Sequence, residues 1–359
     1  MCLGKSFPSP IASTSLCNCS VVRVWLIILS APFRILVLYQ ILYKMSIVEV
    51  KNRIKAVKNI GQITKAMEVV AATKMRKSQQ VALDSRPYAF KALNLLAILG
   101  KQATVRTALM RKRPVKRTLL IIVTSDRGLA GSFNSQVFRM ADSFLKSYEL
   151  LSDPEHELKT IAVGKKAISY VNKKKLATEV TFSGFGDFIE PKETALLTDI
   201  IIKGYLNKDW DRVITISTHF RSTLKQEVLM RHILPVDLEK IEKTLDEIIP
   251  EHGRFSDFKK DLNYKLETKN YKLIEYIFEP KPKEIIESLV EHLIRMQVYH
   301  LVLEANASEH SARMVAMKTA SDNAKELSGS LNLEYNKARQ AQITRELIEI
   351  TAGKAVIDM

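Results

Sequence analysis

Thiols are scarce in this sequence: of 359 residues only Cys2, Cys17 and Cys19 carry one, all within the first nineteen positions. Everything after Cys19 therefore lacks a structural disulfide, a thiolate metal ligand and a cysteine nucleophile. Acids are missing from residues 1–48, and proline is missing from long tracts, none occurring between Ser46 and Arg86 or in the 77 residues after Pro282. Unbroken helix is permitted in both tracts. Phosphate-cradling loops are lacking too, since neither GxGxxG nor GxxxxGK[ST] occurs, and the lookalike LGKS at 3–6 has no upstream glycine and no preceding strand. The seven histidines show no HExxH spacing; His292 and His300 stand eight apart in VEHLIRMQVYH and read as surface or packing residues.

Charge is abundant but lopsided. The formal net charge is +16, and between Ser46 and Arg117 there are 17 Lys/Arg against three acids, Glu49, Glu68 and Asp84. Such local basicity is compatible with nucleic acid, an anionic membrane or an acidic protein partner. Ahead of this segment, the acid-free residues 1–45 hold an apolar run, VWLIILSAPFRILVLYQILY, interrupted by Pro32 and Arg34. A membrane span, a signal peptide and an organelle presequence all fit it imperfectly. We expect it to be a leader or mis-assigned start, with the mature fold beginning near Met45, where a helical pattern opens.

From Ser46 the apolar positions Ile47, Val50, Ile54, Val57, Ile60, Ile63, Met67 and Val70 recur every three or four residues, predicting a helix with a narrow seam. It runs roughly 58 Å to a break expected at Pro87. Within it, IGQITKAMEVVAATKMRKSQQ has no aromatic, and its apolar residues are mostly small or flexible. At the other end, the pattern through Ile286, Leu289, Val290, Leu293, Ile294, Leu301 and Val302 continues to the C-terminus, predicting a helix of about 110 Å with a soft spot, not a stop, at Gly329. Neither helix has an apolar face wide enough to stand alone, so the two are expected to pair as an antiparallel coiled coil.

Between them the period changes. TLLIIVTS (118–125), KTIAV (159–163), TEVTF (178–182) and DRVITIST (211–218) read as strands, alternating with helices such as FNSQVFRMADSFLKSY and KETALLTDIIIKGYLNK. The fold class predicted is a long antiparallel coiled coil of N- and C-terminal helices plus a small α/β domain with a mostly parallel sheet. Its expected divisions are a coiled-coil helix and basic connector at 46–117, the α/β domain at 118–235, a polar excursion at 236–280 and the C-terminal helix at 281–359. The loop SDRGLAGSFN (125–134) follows a strand and opens a helix, where α/β proteins bind anions. It reads as a structural turn, and no motif in the chain supplies a catalytic centre.

Five segments in order, IGQITKAMEVVAATKMRKSQ, TSDRGLAGSFN, YIFEPKPKEII, NASEHSARMVAMKTASDNAKEL and EYNKARQAQITRELIEI, together resemble the gamma subunit of the F-type ATP synthase, from Met45 to the end. The resemblance implies a rotor: a two-helix shaft inside a ring of three alpha and three beta subunits, its α/β domain at the foot meeting the epsilon subunit and the membrane-embedded c-ring. It implies no cofactor, metal or catalytic residue in this chain, with nucleotide chemistry left to the beta subunits and proton transport to the membrane sector. By matching motifs, rotor-to-ring contacts fall on Met67 in TKAM, Arg313 in SARM, and Gln340 and Thr344 in ARQAQIT. The implied location is peripheral, on the cytoplasmic face of a bacterial inner membrane, the alternative being the matrix side of a mitochondrial inner membrane.

The sequence departs from the family at GLAGSFN, where relatives commonly carry GLCGGFN, and at Lys354 near the terminus. It also lacks the cysteine-bearing insertion of plastid relatives, which argues against thioredoxin-type regulation. Two rival readings remain at this stage: a basic coiled-coil protein binding nucleic acid, although the basic segment lacks interleaved aromatics, and an α/β enzyme using Asp126 and Arg127.

Overall fold

The computed structural model describes residues 46–102, 107–151, 156–185, 189–236 and 282–357. The expected leader and nearly all of the polar excursion lie outside these residues. In chain order the elements are α1 (Ile47–Gln102), a 3-10 turn (Ala108–Met110), β1 (Arg117–Val123), α2 (Phe133–Leu151), β2 (Glu157–Val163), α3 (Lys165–Lys174), β3 (Thr178–Phe182), α4 (Pro191–Leu206), β4 (Arg212–Phe220), β5 (Gln226–Leu234) and α5 (Pro282–Ile357). The chain divides into two units, Val57–Leu327 and the two ends, Met1–Ala56 with Ser328–Met359.

The larger unit is built on a five-stranded sheet of order β3-β2-β1-β4-β5. The first four strands are parallel, and β5 returns antiparallel to β4. β1 is buried on both faces, as its continuous apolar run TLLIIV demands. On one face Leu120, Ile122, Ala162 and Ile214 pack with Val137 and Ala141 of α2 and with Ala167 and Val171 of α3. On the other, Leu119, Ile121, Val123 and Ile161 pack with Leu197 and Ile201 of α4 and with Val290, Ile294, Val298 and Leu301 of α5. The result is a three-layer α/β/α domain whose back layer includes the opening turns of α5. The strand expectation held for four strands but omitted β5, whose Glu227, Arg231 and His232 interrupt the apolar run.

Two features of α1 correct the sequence expectation. First, the helix does not break at Pro87 but continues to Gln102. A proline in mid-helix deletes one amide donor and crowds one carbonyl, which bends a long helix without ending it. Secondly, the seam keeps the expected Val50, Ile54 and Val57 but leaves the expected line beyond them. Buried or half-buried positions run Val50, Ile54, Val57, Gly61, Thr64, Glu68, Ala71, Met75 and Ser78, while Ile60, Ile63 and Val70 face outward. The steps alternate three and four, a 3.5-residue period of coiled-coil type. Small residues hold the middle of the seam because two backbones approach there: a Cβ on Gly61 would stand 3.4 Å from the Ala324 Cβ of α5. Further along α1, Lys74 shares a cleft with Asn306 and Arg313, earlier on α5, so within this unit the helices run antiparallel.

The smaller unit is described at two helical segments. Ser46 caps α1 by accepting the Glu49 amide on its Oγ at 3.2 Å. Val50 and Ile54 are buried on one segment, and Ser328 and Leu331 on the other. α5 passes through Gly329 without interruption. From Gln340 to Ala352 every residue of α5 is exposed.

Candidate functional site

The loop after β1 is held by its own side chains. The Ser125 amide donates to Asn134 Oδ1 at 3.1 Å, Asn134 Nδ2 donates to Ser125 Oγ at 2.8 Å, and that hydroxyl donates to the Arg127 carbonyl at 2.7 Å. Asp126 spans further: Oδ1 accepts the Lys165 amide and Oδ2 the Gly184 amide, each at 2.8 Å. Lys165 opens α3, so the carboxylate of Asp126 occupies the position where a helix N-terminus would receive a phosphate. The neighbouring amides are also engaged, Lys166 with the Ser125 carbonyl and Ala167 with Thr124 Oγ1. The loop is a staple that fills its own anion site.

In open α/β sheets ligands enter at the carboxyl ends of the strands, where the strand order reverses; here that point lies between β1 and β4. Helix α5 crosses it. Ser311 Oγ donates to the Thr223 carbonyl beyond β4 at 2.7 Å, and Gln226 Nε2 donates to that same hydroxyl at 3.2 Å. Arg313 reaches the opposite lip, donating to the Gly128 carbonyl at 3.5 Å and pairing with Glu309. The chain's own helix thus lies across the crevice that holds nucleotides in other folds of this class.

Deeper in the same helix sits a buried carboxylate. Glu304 Oε2 meets His219 Nδ1 of β4 at 2.9 Å and Arg231 Nη1 of β5 at 3.1 Å, and all three side chains are under a tenth exposed. Burial alone would raise the Glu304 pKa. The His219 hydrogen bond and the charges of Arg231, His219 and His300 outweigh it and bring the value down to about 2. Sequence reading missed this group; its one signal is a lone acid in the otherwise apolar run VYHLVLEANA.

Of the residues expected from the family resemblance, the structure brings two together. Met67, half-buried on α1, and Arg313, 8% exposed on α5, line one cleft of about 660 Å³ with Lys74, Asp126, Arg127 and Gly128. Gln340 and Thr344 belong to the other unit; both are exposed, and the Thr344 hydroxyl donates back to the Gln340 carbonyl at 2.9 Å. The feature with least explanation inside the chain is apolar surface. Ile60, Ile63, Val69 and Val70 on α1 are each more than half exposed, and Ile343, Leu347, Ile348 and Ile350 on α5 are 44–69% exposed. Among the described residues no helix is long and apolar enough to cross a membrane, and no three His, Cys, Asp or Glu residues cluster as metal ligands.

A central α/β domain whose crevice is crossed by the chain's own helix, with two long helices that leave apolar stripes uncovered, is an architecture that offers surfaces to partners. Comparison with known proteins agrees. The ATP synthase family profile matches residues 46–357. The ATP synthase gamma chain of Roseiflexus castenholzii is 37% identical over 314 residues, covering 86% of this chain and 97% of that one. That of Geotalea daltonii is 37% identical over 310 residues, covering 86% and 97%. Among solved structures, a chain of the Euglena gracilis mitochondrial ATP synthase (OSCP/F1/c-ring, rotational state 3) shares the fold with a TM-score of 0.54 at 18% identity, over 87% of this chain and 94% of that one. The chain belongs to the ATP synthase gamma chain family.

Proposed function

We propose that this chain is the central rotor shaft of an F-type ATP synthase, coupling proton-driven rotation to conformational change at catalytic sites on surrounding beta subunits. The observation that carries the reading is the uncovered apolar surface of α5, whose residues 340–352 expose four large aliphatic side chains along a bare helix. Isolated helix gains little from such residues in water, and their burial requires a sleeve. The outward stripe of α1 asks for the same cover, and the excess of Lys and Arg along that helix matches an acidic lining. No comparable observation favours nucleic acid.

In this reading the alpha and beta subunits form the sleeve, and the α/β domain meets the epsilon subunit and the c-ring, which places the chain peripherally at the membrane. Met67, Gln340 and Thr344 contact the catalytic ring, and Arg313 does so at the cleft beside Met67. An asymmetric shaft touches three equivalent sites differently at any angle. Swinging one site from 1:99 to 99:1 between open and tight states takes about 5.5 kcal/mol of differential contact.

Met67→Cys tests the reading, with Cys2, Cys17 and Cys19 changed to serine so that the new thiol is unique in this subunit. It is paired with a cysteine on a facing beta-subunit loop. Oxidation is expected to abolish multi-site ATP hydrolysis and reductant to restore it, and turnover between reduction and reoxidation should redistribute the cross-link among labelled and unlabelled beta subunits. Full hydrolysis by the cross-linked enzyme, or a cross-link that always returns to its first partner, rejects the rotor.

A further inference from the structure

A rotor needs a joint as well as a shaft. From Val298 to Ala305 eight consecutive residues of α5 are buried, so here the helix is enclosed on all sides, by the α/β domain and by α1. Most of that contact is aliphatic: Val298, Leu301, Val302, Leu303 and Ala305. Apolar burial is non-directional and stabilises a range of angles and heights almost equally. A helix held only in this way can slip under load. A slip of one residue turns the helix face by about 100° and moves it about 1.5 Å, a change that aliphatic neighbours accommodate far better than a hydrogen bond of fixed direction.

Glu304 supplies the fixed direction. One of its oxygens is bonded at once from two strands, by His219 at 2.9 Å and Arg231 at 3.1 Å, and its two partners lie on the antiparallel pair β4 and β5 at the edge of the sheet. No single rotation of α5 keeps both bonds. Further polar ties lie along the same helix, from the Tyr299 hydroxyl to the Ile189 carbonyl at 3.2 Å and from Ser311 to Thr223. The arrangement is also costly, because Nε and Nη2 of the buried Arg231 find no acceptor among the described residues. Buried ion pairs are poor sources of net stability and their best-attested use is to set register.

Resting on the rotor reading above, we infer that the His219–Glu304–Arg231 cluster is the phase lock of the shaft: it fixes the angle and height of α5 on the α/β domain and is the joint through which torque passes between them. Glu304 is thus a positioning residue for coupling.

The test uses the assembled complex held by its catalytic subunits, with a rod attached to the α/β domain through Ser147→Cys on the exposed side of α2 and the three native cysteines changed to serine. The decisive variant replaces the cluster with aliphatic side chains of similar volume, His219→Leu, Arg231→Met and Glu304→Leu, which removes the directional bonds without leaving an unpaired buried charge. It is expected to assemble and turn, with the angular spread of the rod at each dwell widened roughly twofold and fewer protons pumped per ATP against a steep gradient. Glu304→Gln, which keeps an acceptor, should widen the spread less. An unchanged spread in the aliphatic variant overturns the lock and leaves the cluster a packing feature. Failure of both variants to assemble also overturns it, in favour of a role in folding alone. A rod that never turns on the unaltered chain overturns the rotor reading itself.

Discussion

At Gly164 the backbone turns from β2 into α3 with φ at +96°, a conformation side chains avoid, and a Cβ there would stand 2.2 Å from the Thr124 carbonyl oxygen. Both penalties apply to the smallest substitution. Gly164→Ala is expected to cost about 2–4 kcal/mol, read as a fall in the chemical-denaturation midpoint; an unchanged midpoint would mean that the turn relaxes freely. Glu304 makes a second residue-level prediction. Its pKa is depressed in the folded chain, so it stabilises the fold above its ordinary value near 4.5, and that contribution fades as pH falls from there towards about 2. Glu304→Gln should show a shallower decline in acid stability than the unaltered chain between pH 4.5 and 2, followed by helical circular dichroism. Parallel curves in that window would remove Glu304 from the acid response.

Helices and strands show how far local pattern carries. β1 to β4 were legible because strands buried in a parallel sheet need unbroken apolar runs, and TLLIIV or DRVITIST can hardly be anything else. The antiparallel edge β5 and the Lys-flanked α3 were not, since each mixes charges into a short element whose place is set by the sheet. The seam of α1 departs from the apolar pattern after Val57 for a different reason. Apolar size does not mark burial here: close approach to α5 selects Gly61, Thr64 and Ala71 and leaves Ile60, Ile63 and Val70 outside. Motif resemblance singles out Met67 and Arg313, which the structure sets on one cleft, but nothing local announces that Glu304 joins two strands. At this scale Pro87 is the test: a proline inside α1 costs the helix up to about 3 kcal/mol. Pro87→Ala should slow amide hydrogen exchange through residues 83–91. No slowing would mean that local helix stability is set elsewhere.

Considered whole, the molecule separates what stabilises it from what it offers to others. Ile343, Leu347 and Ile350 are 44%, 57% and 69% exposed and add little to the chain's own fold. Changing all three to serine should alter its unfolding free energy by no more than about 0.5 kcal/mol, yet weaken assembly with the alpha and beta subunits at least roughly tenfold, given about 1.5–3 kcal/mol for each large aliphatic side chain fully buried. Assembly at unaltered affinity, measured by reconstitution from purified subunits, would remove this surface from the interface.

The facing pair Gly61 and Ala324 carries a consequence for how the protein is made. More than 260 residues separate them in sequence, and ribosomes add about 5–20 residues per second. The inner stripe of α1 therefore emerges roughly 13–50 s before its partner exists. During that interval the α/β sheet can form from local strands, but no α5 yet crosses its crevice and the basic N-terminal helix has nothing to lie against. Nascent chains at this stage present an apolar stripe edged with lysine and arginine, a form that invites chaperones and anionic surfaces alike.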